Sequence, residues 1–334
     1  MNKPNKRKRK NQECTQNKKK ILNNIDITTI VDFDNQTEEE NLIYYKTICN
    51  NDNICDLTIS PDFFDKYFNE TLISQNTRSN MSVMSLHICI QNNSTNLNYT
   101  NYQLNNLNAL SISINCISLF RSEYLNEVLL NCKNILQELD LTNYFVLDEN
   151  LKIISDIVTL KNLKLKLYNE INQIKFLSNL TNLEVLHIYH SCLINMNFEI
   201  IFKLSKLKEL VMTFYNINFN NFDMLLNLNN LETLCIYCCS LRDKHIEIIS
   251  KLSNLKELKF SSHNINVNKF KMLLNLTNLE ILHISHSNLS NNHVQIISQF
   301  CKLKELKLKY CNITNEGLKY LIEFTDKKKI YFKI

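Results

Sequence analysis

Laid on itself so that Leu183 falls on Leu207, the second half of the chain brings its apolar positions into columns. The first column is Leu183, Leu207, Leu231, Leu255, Leu279 and Leu303; three residues on stand Leu186, Leu210, Leu234, Leu258, Leu282 and Leu306. Two residues later come Ile188, Met212, Ile236, Phe260, Ile284 and Leu308. A final step of two puts neighbouring apolar residues on one face of an extended segment, so each unit predicts a short strand with one face buried and the alternate residues outward. Five positions on, Leu193, Ile217, Leu241, Ile265, Leu289 and Ile313 turn the chain inward again.

A second apolar rhythm fills the rest of each unit. Phe198, Ile201 and Leu204 recur as Phe222, Leu225, Leu228; Ile246, Ile249, Leu252; Phe270, Leu273, Leu276; Val294, Ile297, Phe300; and Leu318, Leu321, Phe324. Three-residue steps predict one apolar stripe of a short α- or 3₁₀-helix. Upstream the strand signature persists at uneven spacing: Leu160, Leu163, Leu165; Leu136, Leu139, Leu141; Leu107, Leu110, Ile112; Met81, Met84, Leu86; and Ile54, Leu57, Ile59. A last strand is predicted at Ile330, Phe332 and Ile334. No single unit encloses a core, so the units must stack, with stability residing in the interfaces between neighbours.

The segments NLEVLHIYHSCLI and KLKELKLKYCNIT resemble the leucine-rich-repeat family. The family's small polar or cysteine position falls at Ser191, Tyr215, Cys239, His263, Ser287 and Cys311; Tyr215 and His263 depart from its usual residue types. Together with NITNEGLKYL after the last unit, the pattern is similar to the cysteine-containing branch of that family. The resemblance implies an α/β horseshoe solenoid of about 11–12 repeats, with a parallel sheet on the concave side and short helices on the convex side. It also implies a protein-protein interaction scaffold without catalytic activity. In that branch an F-box often precedes the repeats, so a second reading is the substrate-recognition subunit of a ubiquitin ligase, held by a Skp1-like adaptor. Residues 36–60 lack the Leu-Pro opening and the Trp of an F-box.

Alternate repeats match better than neighbours, so 183–230, 231–278 and 279–326 are two-repeat copies, the mark of duplication. Four regions are expected. Residues 1–35, without apolar periodicity, form a disordered basic tail. Residues 36–53, opened by the capping pair Thr37 and Glu40, form a capping helix. Irregular repeats occupy 54–182, and regular repeats occupy 183–334.

Composition narrows the function. A single Gly, Gly317, and two Pro, Pro4 and Pro61, exclude glycine-rich phosphate loops and Pro-rich linkers. The net charge of +5 comes largely from the N-terminal basic run, so a nucleic-acid-coating surface is not implied. No signal peptide or membrane-length apolar run occurs, and the twelve cysteines are then expected to be reduced thiols of an intracellular protein, nuclear or cytoplasmic. No metalloprotease, nucleophile-elbow, Walker or dinucleotide motif is present, and no cofactor is expected.

Three constellations remain. Lys6, Arg7, Lys8, Arg9 and Lys10, followed by Lys18, Lys19 and Lys20, have the spacing of a bipartite nuclear import signal for importin, on which a third reading, a nuclear regulatory subunit, rests; a solvated basic tail has the same composition. His187 and His190, Cys235 and Cys238, and His283 and His286 are spaced alike, each pair two repeats after the last. Two strand spacings, roughly 9.6 Å, separate successive pairs, too far for one zinc ion with ligands at about 2.0–2.3 Å, so copying rather than metal binding explains them. Finally, the outward positions His187, Tyr189, Cys235, Tyr237, Lys259, His283, Ser285, Lys307 and Lys309 are expected to form the binding face for a protein partner. The alternation Glu184, Lys208, Glu232, Lys256, Glu280, Lys304 predicts a ladder of opposite charges.

Overall fold

The computed structural model describes residues 56–59, 85–90, 109–114, 122–144, 146–167, 173–190, 198–213, 221–237, 241–262, 264–311, 313–322 and 329–333. The basic tail and the expected capping helix lie outside them.

Every predicted strand is present. They are β1 (Asp56–Ile59), β2 (Ser85–Ile90), β3 (Ala109–Ile114), β4 (Glu138–Asn143), β5 (Asn162–Leu167), β6 (Val185–His190), β7 (Glu209–Thr213), β8 (Thr233–Tyr237), β9 (Glu257–Ser261), β10 (Ile281–Ser285), β11 (Glu305–Lys309) and β12 (Lys329–Lys333). They form one 12-stranded sheet in chain order, each strand parallel to the next. Where the repeat length is constant the register is one to one: Leu186, Leu210, Leu234, Leu258, Leu282 and Leu306 face each other in a single row. Between β3 and β4, in the unevenly spaced half, the register shifts between Ser111 and Ser113.

Among the described residues, α-helices cross back over one face of the sheet: α1 (Ser122–Cys132), α2 (Asp148–Ser155), α3 (Glu199–Phe202), α4 (Asp243–Ile249), α5 (Val267–Lys271), α6 (Asn291–Ile297) and α7 (Asn315–Ile322). The 3₁₀ segments Gln173–Asn179, Phe222–Asn227 and Met272–Asn275 close other repeats in the same way. The predicted apolar stripes are their inward faces, and Phe198, Ile201, Leu225, Ile246, Phe270 and Ile297 pack with the strand leucines into one continuous core. Aromatic rings link successive units: Phe202 lies 6.1 Å from Phe198 and 6.1 Å from Phe222, and Phe222 lies 4.9 Å from the His245 ring.

The two-repeat duplication is visible as alternation. The α-helical units α4 and α6 start at equivalent positions, Asp243 and Asn291, and between them lies a unit built from α5 and a 3₁₀ turn. Both α-helical units use a histidine as an N-terminal cap: His245 Nδ1 accepts the Arg242 N–H at 3.0 Å, and His293 Nδ1 accepts the Ser290 N–H at 3.0 Å. In α2 the same position is Asn150, whose Oδ1 accepts the Leu147 N–H at 2.8 Å. Each satisfies a backbone donor that a helix start leaves without an internal partner.

Two columns of surface bonds tie the strand entrances together. Lys208, Lys256 and Lys304 reach back one repeat to Glu184, Glu232 and Glu280 at 2.6, 2.7 and 2.7 Å, the charge ladder that the alternation predicts. Beside it Asn182, Asn230, Asn254 and Asn278 donate to backbone carbonyls of the preceding unit at 2.8–3.0 Å. Exposed pairs of this kind lose side-chain entropy and are screened, so their net worth is small. Replacing Glu184, Glu232 and Glu280 together by Gln is therefore expected to leave the urea midpoint unchanged in high salt; a clear drop there would show that the ladder holds the fold.

The chain's only glycine serves helix packing. A Cβ on Gly317 in α7 would stand 2.5 Å from Asn291 Oδ1 of α6 and 2.9 Å from Ile313.

Candidate functional site

Period-two geometry aims three residues of each regular strand away from the helices, giving three rows across the sheet. The middle row runs Lys164, His187, Val211, Cys235, Lys259, His283, Lys307. Tyr189, Thr213 and Tyr237 stand side by side in the row toward the strand ends, and Ser261, Ser285 and Lys309 continue it. All nine predicted face residues thus lie on one side of the sheet. They are not equally accessible. Cys235 is only 3% exposed and Val211 8%, covered by larger neighbours, while Lys309 is exposed.

Carboxylates organise the face. Glu209, Glu257 and Glu305, two repeats apart, occupy the row at the strand starts. Glu209 Oε1 accepts the His187 Nε2–H at 2.6 Å, and Glu305 Oε1 accepts the His283 Nε2–H at 2.9 Å. Lys259 pairs with Glu257, and Lys307 lies 2.6 Å from Glu305. With Nε2 donating, His187 Nδ1 is left to accept the Tyr189 hydroxyl at 3.4 Å, the two rings meeting edge to face. The hydrogen bond from His187 holds the Glu209 carboxyl below the usual carboxylate range. Burial lowers the His283 ring below the ordinary histidine value, although its bond to Glu305 acts the other way. Burial likewise pushes the phenols of Tyr189 and Tyr237 up, so both stay protonated donors at neutral pH.

Outward rows alone do not reveal these acids as partners. The matching spacing of Glu209, Glu257 and Glu305 is the available signal, but a bond running from one strand to its neighbour cannot be assigned without the register.

The paired His and Cys positions do not meet as ligands. His187 and His283 each bond a glutamate, and His286 stacks on Tyr310 with centroids 4.6 Å apart. His190 and Cys238 lie outside the described side chains. Among the described residues no group of three His, Cys, Asp or Glu is placed to hold a metal ion. Four cysteines have described side chains, none in a disulfide: Cys132, Cys235 and Cys311 are buried and Cys301 is exposed. Burial pushes the Cys132 and Cys235 thiols up to about 12, which keeps them protonated and poor nucleophiles. Of the small-residue column, Ser287 and Cys311 are described, and Ser287 Oγ accepts the Ser262 N–H at 3.2 Å, joining neighbouring units. Ser191, Tyr215, Cys239 and His263 lie outside the described residues, as do Lys6, Arg7, Lys8, Arg9, Lys10, Lys18, Lys19 and Lys20. No helix among the described residues is long and apolar enough to cross a membrane.

Among solved structures, an internalin from Listeria monocytogenes is similar over 76% of this chain and 75% of its own, with a TM-score of 0.50 at 21% identity. The chain has the leucine-rich-repeat fold. A leucine-rich-repeat protein from Leptospira interrogans is similar over 85% of this chain and 91% of its own, with a TM-score of 0.38 at 18% identity. Internalin C2 from Listeria monocytogenes covers 54% of this chain and 72% of its own, with a TM-score of 0.37 at 24% identity. No family model and no curated protein sequence matches the chain. Within the leucine-rich-repeat fold the sheet face described above is the broad surface left uncovered by the helices.

Proposed function

We propose that this chain is an interaction scaffold that holds a protein partner on its sheet face, centred on Tyr189 and Tyr237. The observation that carries this reading is the pair of half-buried tyrosines standing one strand to either side of Thr213, with Val211 and Cys235 packed in the adjoining row. Two strand spacings separate the rings by about 9.6 Å, room for one side chain of an extended segment between them. Tyrosines held in place by neighbours lose little further entropy on binding, and each offers apolar area and a hydroxyl oxygen that can accept a hydrogen bond. Aromatic residues of this kind dominate the energetics of protein interfaces.

Affinity purification followed by mass spectrometry tests the reading. In the double variant Tyr189→Ala, Tyr237→Ala, capture of the partner is expected to fall about tenfold or more, as for loss of central interface residues. The circular dichroism spectrum is expected to stay unchanged. Undiminished capture of the same partner by a folded double variant would overturn it.

A further inference from the structure

The charge of the sheet face changes along the chain. From β6 to β8 its outward positions carry one acid, Glu209, and no Lys or Arg. From β9 to β11 they carry Lys259, Lys307 and Lys309, against Glu257 and Glu305. Both acids are already engaged, Glu257 by Lys259 and Glu305 by Lys307 and His283. Lys309 is the surplus cation: among the described residues its ammonium has no partner, and neither has the Ser285 hydroxyl beside it in the next strand. In the opposite direction the register sets Lys309 against Lys333 of β12.

The strand ends add an aromatic wall. By simple alternation the residue after Ser285 and the residue after Lys309 would point into the core. Instead His286 and Tyr310 take left-handed backbone conformations, with φ of 53° and 54°, which turn both rings out to solvent. Bulky residues rarely adopt this conformation. The two turns are tied by the His286 N–H donating to the Lys309 carbonyl at 2.9 Å. The rings stack with their planes 20° apart, and Tyr310 remains 48% exposed. In the row between these rings and Lys259, His283, Lys307 stand the small residues Ser261 and Ser285, with Lys309 at its end. From Ser261 to Lys309 is two strand spacings, about 9.6 Å, the length of roughly three extended residues.

We propose that this strip of the sheet face binds an extended acidic segment of the partner protein, with a carboxylate on Lys309 and a planar side chain against the exposed His286 and Tyr310 rings. The proposal rests on the sheet face being the partner surface and adds the chemistry of what one end of it takes. Surplus positive charge selects an acidic over a basic partner. The Ser285 hydroxyl offers a donor to the carboxylates or the main chain of the segment. The aromatic wall favours a peptide over a bare polyanion, because a chain of phosphates has nothing to lay on the rings.

Fluorescence anisotropy with a labelled random copolymer of glutamate and tyrosine tests it, with polyglutamate, inorganic polyphosphate and single-stranded oligothymidylate as comparators. The full chain is used, with the Lys and Arg of residues 6–10 and 18–20 replaced by Gln so that the N-terminal basic run does not contribute. The copolymer is expected to bind more tightly than any comparator. Lys309→Glu and Tyr310→Ala are each expected to weaken it about tenfold, while Lys203→Gln, at the end of α3 on the helix side, leaves it unchanged. Three outcomes overturn the proposal: no binding of the copolymer, equal binding by the Lys309→Glu variant, or tighter binding of polyphosphate or the oligonucleotide. Any of these, with partner capture still lost in the tyrosine pair, leaves the scaffold standing and removes only the acidic-segment assignment.

Discussion

Replacing Phe260 by alanine is expected to lower the stability of the fold by about 3–5 kcal/mol, the range for a large buried side chain whose loss leaves a cavity. Phe260 is fully buried in β9, between Ile236 of β8 and Ile284 of β10 in the register, and it is among the largest wholly enclosed side chains. In every other regular repeat the equivalent residue is smaller: Ile188, Met212, Ile236, Ile284 or Leu308. That unit has packed around a ring, so the flanking repeats cannot simply close the space. Phe260→Ile keeps most of the volume and should cost much less. Urea unfolding followed by circular dichroism measures both. Because each unit touches only its neighbours, the alanine variant should also broaden the transition, as the damaged interface separates the two halves of the stack. A midpoint unaffected by alanine would mean that the core at β9 is looser than its burial indicates.

Acid should destabilise the chain before its carboxylates titrate, with His293 a principal cause. The ring is 4% exposed; its Nδ1 accepts from the Ser290 N–H and its Nε2–H donates to the Ile265 carbonyl at 2.9 Å, an arrangement only the neutral ring can make. Burial holds His293 and His245 below the ordinary histidine value. The unfolded chain therefore binds more protons than the folded one just below a pH of about 6.5. Their contribution is complete above that value and is lost as pH falls through the depressed folded-state values. His293→Asn is the informative substitution, because Asn150 already caps α2 from the same position. Asn retains a cap acceptor but does not titrate. Stability at neutral pH is expected to fall by about 1–3 kcal/mol for the lost Ile265 bond and packing, the usual cost of a broken buried contact. The decline between neutral and mildly acidic pH should become shallower. An equally steep decline in the variant would assign the acid sensitivity elsewhere.

The core is legible in the sequence because inward positions accept only apolar residues, so a fixed repeat length writes them as columns. Leu183, Leu186 and Ile188 predict β6 and its buried face, and even the uneven half yields its strands from Leu163 and Leu165 or Leu139 and Leu141. What stays hidden depends on groups that are polar in any case. The asparagine column at Asn182, Asn230, Asn254 and Asn278 is masked by a chain rich in asparagine everywhere. The caps at His245 and His293 put a histidine where the usual capping box has Glu or Gln, and α4 has Arg242 rather than Ser or Thr before it. The outward rings of His286 and Tyr310 depend on left-handed backbone, which is foreseeable at glycine and not at histidine or tyrosine. Parity finds the face residues, but parity cannot show that Cys235 is covered or that Glu209, Glu257 and Glu305 hold the cations and histidines.

The alternation of two kinds of repeat also restricts how such a chain can change length. Excising residues 207–230 would set Glu184 directly against Glu232, like charge beside like charge, and would seat an α-helical unit where a 3₁₀ unit had been. Excising two adjacent repeats instead restores every opposite-charge neighbour and every helix type. The molecule is thus modular in pairs, and its sheet face can be lengthened or shortened only by whole doublets without disturbing its seams.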